Sequence, residues 1–383
     1  MATKTAPTAP VAPDNVRRIG AQAPLGQTVL VLQGGGALGA YQAGVYQAMH
    51  AAGIEPDWVV GTSIGAINGA IIMGNPPERR MEQLHTFWER TEIQQTDLQR
   101  YWASLLGNTF TNLGTFTRGL PALFAPNPAA MLGQFAAVGI DHAAYYTTAP
   151  LRQTLLDLVD FDYLAQRDHR LTVGAVNANT GVMRYFDSRH EPLRVEHVMA
   201  SGALPPAFPA VRVDGEPYWD GGIYSNTPVE VVLDDNPRRD STIFAIQLWT
   251  PHASEPQSLA QISERQKDIQ FSTRDTSHVQ RQQQIHKLRH IIREMSKRVP
   301  PQLRDDPAIR ELAAWGCGTT MHLVRLHAPR LPGEDASKDI DFTRQGIRTR
   351  WEAGYNDACR AIAQRPWATP VDPTDGVMIH DIS

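Results

Sequence analysis

The chain of 383 residues is 42% hydrophobic and 20% charged, the balance of a folded globular protein and not of a disordered segment. Its formal net charge of −4 is small for this length, so no global field marks it for nucleic acid, and any basic surface has to be local. The two cysteines, Cys317 and Cys359, have neither C-x-x-C nor Cys/His ligand spacing, which argues against a zinc site and a disulfide framework and for two thiols in a reducing compartment.

Residues 1–26, rich in Ala, Pro and Thr, lack the apolar run of a signal peptide and read as a flexible leader. Thr28 to Gln33 is a β-branched and aliphatic run that stops at three glycines, and Ala37 to Ala52 continues with apolar residues at helical spacing. Strand, tight turn and helix follow from that pattern. Trp58 to Val60, then Gly61-Thr62-Ser63-Ile64-Gly65, then Ala66 to Met73 repeat it, and the last of these runs is far too short to cross a bilayer. Between residues 81 and 141 lie Trp88, Tyr101, Trp102, Phe110, Phe116, Phe124 and Phe135 among glycines and prolines, either as helical packing residues or as the lining of an acyl-chain pocket. Leu171 to Val176 and Ile243 to Leu248 are continuous apolar runs of strand length, as a parallel sheet covered on both faces requires. The expected fold class is α/β, with three layers around a mostly parallel sheet.

From about Ser258 the composition shifts to Gln, Arg, His and Lys, and Ile285, Leu288, Ile292, Met295 and Val299 form a heptad-like stripe. Around it stand Arg274, Arg281, Lys287, Arg289, Arg293, Lys297 and Arg298, against Asp275 and Glu294. Such a helix is a solvated face packed on the core, or else a surface for an anionic membrane or a helical partner; nucleic acid is not expected without a recognition motif. Thr320 to Leu326 and Thr343 to Ile362 read as a further strand and helix, and residues 364–383 as a tail. The resulting division is a leader (1–26), a core (27–250), a mainly helical C-terminal extension (251–363) and the tail.

Three short segments carry chemistry. Gly61-Thr62-Ser63-Ile64-Gly65 fits G-x-S-x-G, in which a sharp strand-to-helix turn exposes a serine hydroxyl at a helix N-terminus. Gly34-Gly35-Gly36-Ala37-Leu38-Gly39 occupies the first strand–helix turn, where backbone N–H groups can approach a ligand oxygen. As G-x-G-x-x-G it could instead hold a dinucleotide; Glu55 and Asp57, however, precede the second strand, whereas a ribose-binding acid belongs at that strand's C-terminal end. An oxyanion hole is the better reading. The third segment, Tyr218-Trp219-Asp220-Gly221-Gly222, follows Val211 to Val213 and a hairpin turn at Asp214-Gly215, and can present a carboxylate from a tight turn.

Together these segments resemble the patatin-like phospholipase family over about Thr28 to Leu248: a glycine-rich oxyanion loop, G-x-S-x-G, then D-G-G, in that order. Met199 to Pro209 and Asn226-Thr227-Pro228 look like further family segments, and the C-terminal third resembles an extension found in a bacterial subset. The resemblance implies a patatin fold and a serine acyl-ester hydrolase. By it, Ser63 is the nucleophile, Asp220 accepts its proton directly, Gly34, Gly35 and Gly36 form the oxyanion hole, and Gly39, Gly61, Gly65, Gly221 and Gly222 complete the motifs. It implies no metal or other cofactor. Phospholipid or lysophospholipid is the expected substrate, with short soluble or polyhydroxyacid esters as the alternative; an oxidoreductase and a non-catalytic interaction protein fit the Ser and Asp motifs less well. Leu38 stands where many relatives carry Arg or Lys. The expected location is cytoplasmic, with peripheral membrane contact through the basic helix near 274–298, and the sequence is compatible with a homo-oligomer.

Overall fold

The computed structural model describes residues 26–93, 119–166, 169–251, 253–331, 334–372 and 374–382. The leader up to residue 25, the aromatics Tyr101, Trp102, Phe110 and Phe116, and the side chains of Arg274 and Asp275 lie outside the described part.

Two strand–helix units open the fold: β1 (Gln27–Leu32) leads through a 3-10 turn, Gly36–Gly39, into α1 (Ala40–Ala51), and β2 (Trp58–Gly61) runs directly into α2 (Ile64–Met73) and then α3 (Pro77–Arg90). A small hairpin of β3 (Ala125–Pro126) and β4 (Tyr146–Thr147) precedes α4 (Ala149–Leu158). There follow β5 (Arg170–Asn177), β6 (Met183–Asp187), α5 (Val195–Ser201), β7 (Val211–Val213), β8 (Glu216–Asp220), α6 (Val229–Leu233) and β9 (Ser241–Gln247). The last third supplies α7 (Leu259–Lys297), α8 (Pro307–Ala313), β10 (Met321–His327), α9 (Arg344–Gln364) and β11 (Val377–Ile382).

Strands β11-β10-β9-β1-β2-β5 lie side by side, all parallel. Both faces are covered, which explains the unbroken apolar strands. Val29, Val31, Trp58, Val60, Ile243 and Ala245 face α6 and Val279 of α7. Leu30, Leu32, Val59, Phe244 and Ile246 face the larger core with α1, α2 and α9. Helices α1 and α9 meet backbone to backbone: a Cβ on Gly44 would stand 2.0 Å from the Trp351 carbonyl oxygen, and one on Gly354 2.0 Å from that of Tyr41. The C-terminal extension is thus mainly helical, yet it also adds two strands to the sheet, and the boundary near 250 is one of sequence and not of the sheet.

Residues 364–383 are not a free tail. They contain β11, paired with β10 from Met321↔Val377 to Leu326↔Ile382, with Val377 and Ile382 buried. The heptad-like stripe also points elsewhere than a packing seam. Leu288 and Met295 are 60% and 63% exposed, while α7 turns Val279, His286 and His290 inward. The two imidazoles are accommodated because the His286 Nε2 meets the Leu233 carbonyl at 2.8 Å and the His290 Nε2 that of Thr319 at 2.9 Å.

One register detail positions the chemistry. On β5, residues 170–173 pair with β2 and residues 175–177 with β8, while β6 takes the opposite edge. Antiparallel β8 therefore takes over the edge of β5 where β2 stops. Gly61 faces Val173 and Asp220 faces Ala175, so the end of β8 comes to rest beside the turn that follows β2.

Candidate active site

Ser63 sits in that turn with φ 55° and ψ −123°, a backbone conformation that few non-glycine residues adopt. The flanking glycines permit it by close approach: a Cβ on Gly61 would lie 2.4 Å from the Gly65 carbonyl oxygen, and one on Gly65 2.2 Å from that of Leu32. The strained residue caps α2, so the positive end of the helix dipole lies at the hydroxyl, while the Gly65 and Ala66 N–H groups bond back to the Thr62 and Ser63 carbonyls. The Ser63 N–H itself donates to the Ser201 Oγ at 3.0 Å, from a side chain that is fully buried at the end of α5.

The glycine loop after β1 is held by a polar network. The Gly34 N–H donates to the Asn226 carbonyl at 3.3 Å, and the Gly34 carbonyl accepts from Trp249 Nε1 at 2.8 Å and Asn226 Nδ2 at 3.1 Å. Gln33 adds its own ties to Thr227, Leu248 and Trp249. With both polar groups of Gly34 engaged, the amides of the three glycines left without a backbone acceptor are those of Gly35 and Gly36. Because a trans peptide is planar, fixing the Gly34 carbonyl also fixes the direction of the Gly35 N–H. Gly36 has φ 55°, and a side chain there would run into the Asp339 carbonyl oxygen at 2.2 Å. Gly39, at the end of the turn, lets α1 pass Ile64, where a Cβ would approach within 2.5 Å.

Asp220 ends β8 and is 2% exposed. Burial pushes its carboxyl up to about 6, while interactions with the Ser63 hydroxyl and the Gly222 N–H pull the other way. The Gly222 N–H donates to Oδ1 at 2.7 Å, so the Asp-Gly-Gly turn aims the carboxylate as well as carrying it. Gly221 lies against the Gly174 carbonyl, where no side chain fits.

Ser63 and Asp220 open on a cavity of about 210 Å³. Gly34, Gly35, Gly36, Ile64, Gly222 and Asn226 border its reactive end. One wall is Leu123, Phe124, Tyr146, Leu151 and Phe208; the other is Trp249, Phe271, Ile340 and Phe342. Of the aromatics between 81 and 141, Phe124 lines this cavity, Trp88 is buried in the core with its Nε1 donating to Asn68 at 3.2 Å, and Phe135 is 92% exposed. Sequence reasoning missed Ser201, Trp249 and the whole wall from the extension. Only Ser201 lay within a segment already singled out. Leu38 is buried, and a buried ammonium, Lys338, lines the same small neighbouring cavity and is bound to Asp268 at 2.8 Å.

The acids considered for a ribose are occupied elsewhere. Asp57 accepts from the Thr28 N–H at 2.8 Å, at the start of β1 and so at the opposite end from the glycine loop, and Glu55 pairs with Arg80, His50 and Tyr46. Among the described residues no group of His, Cys, Asp and Glu could hold a metal, no histidine lines the cavity, and no helix is long and apolar enough to cross a membrane.

A family model described as patatin-like phospholipase matches residues 30–233, and a second, described as patatin phospholipase, matches residues 269–374. A cGAMP-activated phospholipase of Pseudomonas aeruginosa is 28% identical over 120 residues, which is 28% of this chain and 36% of that protein; the chain thus spans about a third of the curated relative it matches. Among solved structures, VipD from Legionella pneumophila is 12% identical with a TM-score of 0.39, covering 89% of this chain and 67% of that one. ExoU from Pseudomonas aeruginosa, solved with SpcU, is 16% identical with a TM-score of 0.28, covering 92% of this chain and 76% of that one.

Proposed function

Because the chain belongs to the patatin-like phospholipase family, we propose that it is a serine acyl-ester hydrolase acting on lipid through a Ser63–Asp220 pair. The observation that carries this reading is the nucleophile elbow and a buried, partnered carboxylate meeting at the mouth of an apolar cavity. In acylation, Asp220 takes the proton as Ser63 Oγ bonds to the ester carbon, and the carbonyl oxygen gains its charge beside the Gly35 and Gly36 N–H groups. Collapse breaks the ester C–O bond, and the leaving alkoxide takes the proton from Asp220. In deacylation Asp220 removes a proton from water, the hydroxide attacks the acyl carbon, and the fatty acid leaves as Ser63 is reprotonated.

Several features support a two-residue mechanism without histidine. The late histidines whose side chains are described are held elsewhere: His286 and His290 on backbone carbonyls, His322 on His380 at 3.1 Å, and His327 on Asp381 at 3.3 Å. Predominantly apolar walls suit an acyl chain better than a short polar ester. The far part of the basic face, around Arg289 and Arg293, stands apart from this site. Phe271 borders the cavity while His290 touches the start of β10, so α7 runs from the site to the opposite end of the sheet, and ~33 Å of helix separates Phe271 from Arg293 at the usual rise. Anionic lipid bound there would tether the protein without delivering an ester to Ser63.

A fluorophosphonate should label wild type stoichiometrically and Ser63→Ala not at all, and acyl-ester hydrolysis should survive exhaustive chelation. Equal labelling of Ser63→Ala, or activity restored only by a divalent ion, would sink the proposal.

A further inference from the structure

The hairpin of β3 and β4 has its base in the active-site cavity and its tip in solvent. At the base, Leu123, Phe124, Tyr146 and Thr148 line the cavity. The second strand is bound to the cavity wall as well, since the Tyr145 N–H donates to the Pro206 carbonyl at 3.2 Å and the Tyr146 N–H to that of Ala207 at 2.9 Å. At the tip, Met131, Leu132 and Phe135 are 90%, 68% and 92% exposed. No charged residue stands anywhere from Gly119 to Ile140. A water-facing loop ordinarily carries charge, and a surface for a charged protein partner would need it.

The tip is shaped rather than slack. Asn127 closes its neck: its side chain accepts from the Ala129 N–H at 3.0 Å and donates to the His142 and Ala144 carbonyls at 2.9 and 2.8 Å. Below the apolar tip comes a polar collar, with Tyr145 58% exposed and Asp141 paired to Arg212 at 2.9 Å. An uncharged apolar cap, an aromatic at its edge and an ion pair behind it form the sequence of environments met on passing from acyl chains through a lipid interface into water.

We infer that the β3–β4 tip inserts into the lipid phase, so that one hairpin has its apolar tip in the membrane and its apolar base in the wall of the Ser63 cavity. A lipid acyl chain then travels from one apolar environment to another without full hydration. The insertion relies on dispersion and hydrophobic burial, and so on zwitterionic as much as on anionic lipid. It rests on the lipid-hydrolase reading for its purpose, but its test does not.

Wild type and Met131→Asp/Phe135→Asp should be compared for co-sedimentation with phosphatidylcholine vesicles, hydrolysis of those vesicles, and hydrolysis of a monomeric butyrate ester. Both residues are exposed, so the fold should tolerate the change; Met131→Gln/Phe135→Gln provides an uncharged second pair, and Met131→Leu/Phe135→Leu the conservative rescue. The expected result is a loss of at least tenfold in vesicle binding and vesicle hydrolysis for the Asp and Gln pairs, with butyrate hydrolysis unchanged and the Leu pair behaving as wild type. Vesicle binding that survives both polar pairs, whether another part of the chain covers the tip or lipid enters elsewhere, would overturn the inference. So would binding that requires anionic lipid and vanishes in salt, which would point to the basic face of α7. Wild type that binds vesicles through the tip but cleaves only soluble esters would uphold the insertion and refute the lipid substrate.

Discussion

Replacing Asp220, the proposed general base, should make this protein more stable. Asp220 is buried, and its carboxyl is pushed up to about 6, from an ordinary value near 3.8. A folded state that holds its proton more tightly than the unfolded chain gains stability from that group at low pH and loses it as pH rises through the folded value. At about 1.36 kcal/mol per pH unit of difference, the ionised carboxylate costs the native state about 3 kcal/mol at neutral pH. Asp220→Asn keeps an oxygen for the Gly222 N–H but cannot ionise. The variant should match wild type below about pH 4, draw ahead between about pH 4 and 6, and hold a constant advantage of up to about 3 kcal/mol above that. With an unfolding entropy of about 2.1 cal/mol/K per residue, this amounts to a rise in Tm of about 4 °C. Thermal unfolding of both proteins from pH 4 to 8, alongside ester hydrolysis, would show stability and turnover moving in opposite directions. An Asn variant that is less stable than wild type at pH 8, or a difference that ignores pH, would refute the account of Asp220 as a carboxylate held against its solvation preference.

Turnover itself should follow the same ionisation: kcat/KM for a soluble ester should rise with pH through about 6 and then level off, because only the carboxylate can accept the Ser63 proton; a profile flat from pH 5 to 8 would remove Asp220 as the base. Ser201→Ala strips the acceptor from the Ser63 N–H, and leaving that buried donor unpaired costs about 1–3 kcal/mol; kcat should fall roughly tenfold at nearly constant KM, with Ser201→Thr recovering part of the loss. Ile340→Ala removes three carbons from the wall supplied by the extension, worth about 2 kcal/mol at most. Octanoate hydrolysis should drop by about tenfold while acetate hydrolysis stays level, and equal loss on both esters would place Ile340 outside the acyl path.

How much of this could be read beforehand depended on whether a residue's type was dictated by its immediate neighbours. Gly61 and Gly65 must be glycine because backbone atoms lie against them, and Ser63 between them inherits a conformation used for nucleophiles; such constraints leave short, legible strings. The same holds for Asp220, whose carboxylate is aimed by the N–H of a residue two places on. The β1, β2, β5 and β9 runs were legible because two-sided burial leaves no polar positions in their middles. Ser201, Trp249 and Asn226 reach the site from distant turns, and their identities alone do not announce it. Nor does the sequence show that β8 succeeds β2 on one edge of β5. The inward face of α7 escaped because two imidazoles with carbonyl partners fill core positions, and they read as solvent-facing in a chain with 13 histidines. Strand β11 escaped because Val377-Met378-Ile379-His380-Asp381-Ile382 follows a proline-rich stretch and mixes polar with apolar residues.

The lean of Gly36 on the Asp339 carbonyl has a consequence for the order in which the molecule acquires its competence during synthesis. A ribosome delivers Ser63 and then Asp220 long before the segment that backs the glycine loop, and the wall formed by Ile340 and Phe342 comes just behind it. The nascent chain therefore carries Ser63 and Asp220 for more than a hundred residues of elongation without the support that shapes its glycine loop. For the lipid hydrolase proposed above, that delay makes acyl-ester chemistry wait on the C-terminal extension, a timing written into chain order.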